Sequence, residues 1–104
     1  DAKATLLQIA QWQERRRTEQ NGYATAFPVG FQLNTVRAGS AAAGPVTYNI
    51  TIDAGATATA YRLTATRAGP MATDPCGDFT LTNLGVRGNE NLGGGRTSDG
   101  CWAR

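Results

Sequence analysis

Two cysteines, Cys76 and Cys101, bracket the last quarter of this 104-residue chain, and they constrain it more than any other feature. Between them run Gly77-Asp78-Phe79-Thr80-Leu81-Thr82-Asn83-Leu84-Gly85, a strand-like stretch, then a glycine-rich segment and Asp99-Gly100. A segment so rich in Gly, Asp and Asn has little apolar material to hold it against a core, so it reads as a loop closed by a disulfide. In the chain-entropy description, closing a loop of this size stabilises the fold by about 3 kcal/mol. Two buried free thiols are the alternative that the residues leave open. A bridge suits the periplasm or the cell exterior, where thiols are oxidised.

Composition narrows the function classes. With no histidine and only two cysteines, the usual zinc ligand sets are missing, as is any Ser or Cys nucleophile paired with a His base. The reading is therefore not an enzyme: no catalytic residue, no metal and no cofactor. A formal net charge of +2 is too small to argue for nucleic acid. No apolar run reaches membrane-spanning length and no signal peptide is visible. An oxidised domain still has to be exported, so the expectation is either a cleaved export segment or a natural protein that begins upstream. At 40% hydrophobic residues, the chain reads as one domain over 1–104 with a modest core.

Along the chain, residues 1–20 hold no Gly or Pro and are rich in Ala, Leu, Gln, Glu and Arg, which predicts a helix. At about 100° per residue, Ala2, Leu6, Ile9 and Gln13 share one face, with Leu7 and Trp12 on its flanks. Glu14 with Arg17, and Arg15 with Glu19, fall at helical pair spacing, and Asn21-Gly22 ends the helix. Residues 21–45 show no clean period, and Pro28, Gly30, Gly39, Ala41 to Ala43 and Gly44-Pro45 predict an irregular connection.

A sheet follows over 46–88. Val46, Tyr48, Ile50 and Ile52 alternate with polar residues, as do Tyr61, Leu63 and Ala65 after the Ala54-Gly55-Ala56 turn, which predicts an antiparallel hairpin. Phe79 and Leu81 mark a third strand. Val86-Arg87 mark a short fourth, before Asn89, Asn91 and Gly93 to Gly95 end regular structure. The expected architecture is α+β: one long N-terminal amphipathic helix packed on an antiparallel sheet of about four strands, with a C-terminal loop over 76–101.

Several constellations have plain alternatives. Arg15-Arg16-Arg17 suggests nucleic acid, but consecutive helical residues point about 100° apart, so the three fan around the helix rather than forming a flat patch. A solvated surface is the favoured reading, and DNA contact the lesser one. Arg37, Arg62, Arg67, Arg87 and Arg96 join a basic surface only if the fold gathers them. Gly93-Gly94-Gly95-Arg96-Thr97 lacks the lysine spacing and strand-to-helix setting of a phosphate loop. Asp74, Asp78, Glu90 and Asp99 lack the alternation of a calcium loop. Trp12 and Trp102 read as packing anchors.

Taken together, these residues resemble the globular head of a type IV pilin. Asp1-Ala2-Lys3-Ala4-Thr5-Leu6-Leu7, with Gln13-Glu14-Arg15 and Asn21-Gly22-Tyr23, is similar to the helix end of Gram-negative pilins of the PilE kind. So is Cys76-Gly77 leading into Phe79 to Gly85, with Asp99-Gly100-Cys101-Trp102 closing the chain. The resemblance covers nearly the whole sequence apart from the middle loop.

It implies that Cys76 and Cys101 form the family's disulfide and that Leu6, Ile9, Tyr48, Ile50, Leu63 and Leu81 hold helix to sheet. It also implies an apolar N-terminal stem, cut and N-methylated by a prepilin peptidase, that anchors the subunit in the inner membrane with its head facing the periplasm. The expected function is a major or minor subunit of an extracellular type IV pilus, serving adhesion, twitching motility or DNA uptake. Its expected partners are other pilins and the pilus assembly machinery. The alternatives are a DNA-binding minor pilin acting as receptor in natural transformation, a type II secretion pseudopilin, and a free periplasmic binding module.

Overall fold

The computed structural model describes residues 2–28, 31, 34–37, 46–69 and 75–103. Gly30, Gly39, Ala41 to Ala43 and Gly44-Pro45 of the expected loop lie outside the described residues, as does Asp74.

Helix α1 (Ala2–Gln20) buries Ala2, Leu6, Ile9 and Gln13, the stripe that helical spacing places on one face. Its end follows from Asn21, which takes a left-handed conformation at φ 61° as helix-terminating residues commonly do. Beyond it stand β1 (Thr35–Arg37), β2 (Val46–Ile52), β3 (Arg62–Arg67), β4 (Asp78–Thr82), β5 (Arg87–Glu90) and a short helix α2 (Ser98–Ala103). The strands form one antiparallel sheet in the order β1-β2-β3-β4-β5.

Three elements correct the expectation from sequence. The sheet has five strands rather than about four, because β1 lies inside the segment expected to be irregular and pairs Val36 with Tyr48. The last strand starts at Arg87 and includes Asn89, so Val86 belongs to the turn. The chain after Gly95 closes with α2.

Register puts the apolar residues on one face. Ile50 lies opposite Ala65, Ile52 opposite Leu63, Leu63 opposite Leu81 and Ala65 opposite Phe79. All of these but Ile52, which is partly buried and packs against the rest, join Tyr48, Leu6, Ile9 and both cysteines in a single buried cluster under α1. Glycine is required at Gly77 (φ +67°), where a Cβ would lie 2.7 Å from the carbonyl oxygen of Asn91 and closer still to that of Glu90. Any side chain there is strained and displaces the end of β5.

Candidate functional site

At the closed end of the sheet, Cys76 precedes β4 and Cys101 sits in α2, and the two are bonded with their Cα atoms 5.8 Å apart. Both are buried. Trp102 packs edge-on against Phe79 at 5.6 Å, donates its indole N–H to the Gly88 carbonyl at 3.0 Å and lies under the Arg87 guanidinium. Asp78 accepts from the Arg67 backbone N–H at 3.0 Å and from the Asn91 amide at 3.1 Å. Glu90 pairs with Arg62 at 2.9 Å. Among the described residues no group of three metal-ligating side chains comes together.

The six residues named for the helix–sheet core, Leu6, Ile9, Tyr48, Ile50, Leu63 and Leu81, are all buried in one cluster. Gln13 does something its position in the stripe does not announce. Its amide donates to the Ala24 carbonyl at 3.0 Å and accepts from the Ala24 N–H at 2.8 Å. A fully buried side chain thus fastens the chain leaving α1 back onto the helix, and its own polar atoms are satisfied in doing so.

The three consecutive arginines diverge. Arg17 reaches Glu14 at 4.0 Å and lies 5.7 Å from the Tyr23 ring centre. Arg15 is exposed beside Glu14, Thr18 and Glu19 on an open depression of about 480 Å³. Arg16 is half-buried, and its Nε is shielded from solvent without a hydrogen-bond partner among the described residues. A second recess of about 150 Å³ is lined by Trp12, Arg15, Arg16, Glu19 and Gln20. Beside it Trp12 meets Phe31 at 4.8 Å, and Phe31 stacks on Phe27 at 4.6 Å. Arg15 and Glu19, although spaced as a helical pair, do not form an ion pair.

On the sheet, Arg62 and Arg67 are neutralised where they stand, while Arg87 lies over Trp102. Arg62 bridges Asp53 at 2.9 Å and Glu90 at 2.9 Å, spanning β4, while Thr64 donates to the other Asp53 oxygen at 2.6 Å. Gly88 leaves room beneath this span, since a Cβ there would come within 2.8 Å of the Thr80 hydroxyl. Arg67 lies 3.7 Å from Asp78. Sequence reasoning missed the Arg62 span and the Trp12–Phe27–Phe31 cluster. The Asp53–Arg62 half was within reach, because Asp53 directly follows β2 and Arg62 begins β3, so the two meet across the hairpin, where the Asp53 N–H also donates to the Arg62 carbonyl.

Comparison with known proteins gives two findings. A family model described as type IV minor pilin ComP, DNA uptake sequence receptor, matches residues 1–80. A solved type IV pilin from Shewanella oneidensis superposes with a TM-score of 0.54 at 23% identity, covering 84% of this chain and 82% of that one. A search of curated proteins gives no match. The structural likeness shows the fold, and the sequence match extends from the helix into β4; the chain belongs to the ComP family of type IV minor pilins.

Proposed function

We propose that this chain is the globular head of a minor subunit that is built into an extracellular type IV pilus. The family match over residues 1–80 carries the reading, and the architecture suits it: a helix with one face buried on a sheet, locked at one end by a disulfide. Pilins are structural proteins, and the site geometry offers anchoring and packing rather than chemistry. Among the described residues no helix is long and apolar enough to cross a membrane. Anchoring in the inner membrane before assembly is therefore proposed on the resemblance alone, through an apolar stem running into α1. Surface fibres sheared from cells that express a tagged full-length subunit test the reading. The subunit should copurify with the fibres, and its confinement to the periplasm would overturn it.

A second reading is favoured by one observation. Arg15 and Arg16 have no ion-pair partner among the described residues and stand beside the half-buried aromatic cluster of Trp12, Phe27 and Phe31. Cations next to aromatic faces suit nucleic acid, and the family description names a DNA uptake sequence receptor. Against it, Arg62 and Arg67 are already paired with carboxylates. Titration of the head with duplex DNA across salt decides the matter. Binding that weakens with salt, and weakens further in Arg15→Ala/Arg16→Ala, supports a receptor, whereas no binding at low salt removes it.

A further inference from the structure

Two of the described non-glycine residues take the left-handed backbone conformation, Asn21 and Asn91, each at φ 61°. Asn91 is tied down: its amide donates to the Asp78 carboxylate at 3.1 Å, and the bulky Leu92 follows it. Asn21 is exposed, its side chain has no hydrogen-bond partner among the described residues, and Gly22 follows it. Nor does the Gly22 N–H donate to any of the described residues.

The fold itself selects this pair. Leaving α1 through a left-handed residue favours Asn or Gly at position 21. A Cβ on residue 22 would lie 3.0 Å from the Ala58 Cβ, so the close approach of the β2–β3 connection favours glycine there. What the joint requires is also the combination most open to attack by a backbone nitrogen on the preceding side-chain amide, because glycine has no Cβ to crowd the ring that forms. Elsewhere one part of the combination is missing. Asn34, Asn49, Asn83 and Asn89 precede Thr35, Ile50, Leu84 and Glu90, and the amides of Asn83 and Asn89 are hydrogen-bonded as well. Asp99-Gly100 is the nearest parallel, but there the Thr97 hydroxyl holds the Gly100 N–H at 3.1 Å.

We infer that Asn21-Gly22 is a site of spontaneous covalent modification, at which the head passes with age from asparagine to isoaspartate. The Gly22 nitrogen bonds to the side-chain carbonyl carbon of Asn21 while the bond from that carbon to the amide nitrogen breaks, and ammonia leaves with the Gly22 proton. Water then opens the cyclic imide. Where it cleaves at the Asn21 backbone carbonyl, the main chain afterwards runs through the side chain. The chemistry needs only water, so it does not depend on the pilus-subunit reading.

Its position gives the change a structural effect. The product lengthens the backbone by one carbon and sets a carboxylate at the negative end of the α1 dipole. Just beyond, the Tyr23 N–H donates to the Ala58 carbonyl at 2.9 Å, and Gln13 clasps both backbone groups of Ala24. An extra atom between helix and clasp shifts both contacts out of register, so the joint that fastens α1 to the chain leaving it loosens.

Ageing the purified head in mildly alkaline buffer tests the site, with the urea-unfolded head as positive control. An isoaspartyl methyltransferase labels the product, and peptide mass mapping locates it. Asn21 should convert at least about fivefold faster than Asn91, the cost of freeing Asn91 from one hydrogen bond before crowding by Leu92 is counted. Modified heads, separated by their added negative charge, should exchange the Ala24 amide faster than unmodified ones. Asn21→Gly suits the left-handed position and has no side-chain amide, so it should keep Ala24 protected and acquire no label at position 21. An Asn21 that stays intact in the folded head, or converts no faster than Asn91, overturns the site. Equal exchange of the Ala24 amide in modified and unmodified heads overturns the loosening.

Discussion

Gln13 replaces a strand partner with a side chain. Its amide closes both backbone groups of buried Ala24, so Gln13→Ala strands a donor and an acceptor together. Urea unfolding should show a loss of about 2–4 kcal/mol, and the Ala24 amide should exchange with solvent much faster than in wild type. Tyr61 gives a pH dependence. Burial, then the neighbouring Tyr23 and Glu14, push its hydroxyl up to about 12, while Tyr23 is raised chiefly by its hydrogen bond to Glu14 and then by burial. An unfolded tyrosine ionises near 10. The contribution is therefore complete below about pH 10 and is lost as pH rises towards 12, because the unfolded state releases its proton first. Urea unfolding at about pH 11.5 should show roughly 2 kcal/mol less stability from Tyr61 than at neutral pH, and Tyr61→Phe should lose less.

At the scale of elements, the disulfide ties β4 to α2. Cys101→Ser should lower the melting temperature by roughly 10–20 °C, in keeping with about 3 kcal/mol for a loop of this size. An unchanged melting curve would mean that packing alone holds the end of the chain. Elements long enough to repeat their own period were readable: α1 through Leu6, Ile9 and Gln13, and β2 through Tyr48, Ile50 and Ile52. Strand β1 was not, since Thr35-Val36-Arg37 is too short to show alternation and is a strand because β2 offers it an edge. Strand β5, Arg87-Gly88-Asn89-Glu90, has no apolar alternation at all; it is fixed by β4 and by Trp102 bonding to Gly88. In α2, Gly100 argues against a helix, whereas Thr97 caps it by accepting from the Gly100 N–H, Asp99 suits its first turn, and Cys101 and Trp102 hold it in place. The Arg62 span was hidden for a related reason: its reach to Glu90 exists only once β4 has set the distance between β3 and β5.

On the scale of the whole molecule, the two turn-bearing ends of the sheet differ in kind. One carries the apolar β4–β5 turn beside the end of α1, and the other is locked by the cysteines. That lock has a mechanical side. Cys76 and Cys101 are 25 residues apart in sequence and 5.8 Å apart in space, so a pull on the two chain ends bypasses everything between them. In single-molecule stretching, reducing the bond should lengthen the fully extended head by about 80 Å, the reach of the released residues. Under load in an oxidising environment the head therefore withholds a quarter of its chain, and a fibre made with it yields less length before it breaks.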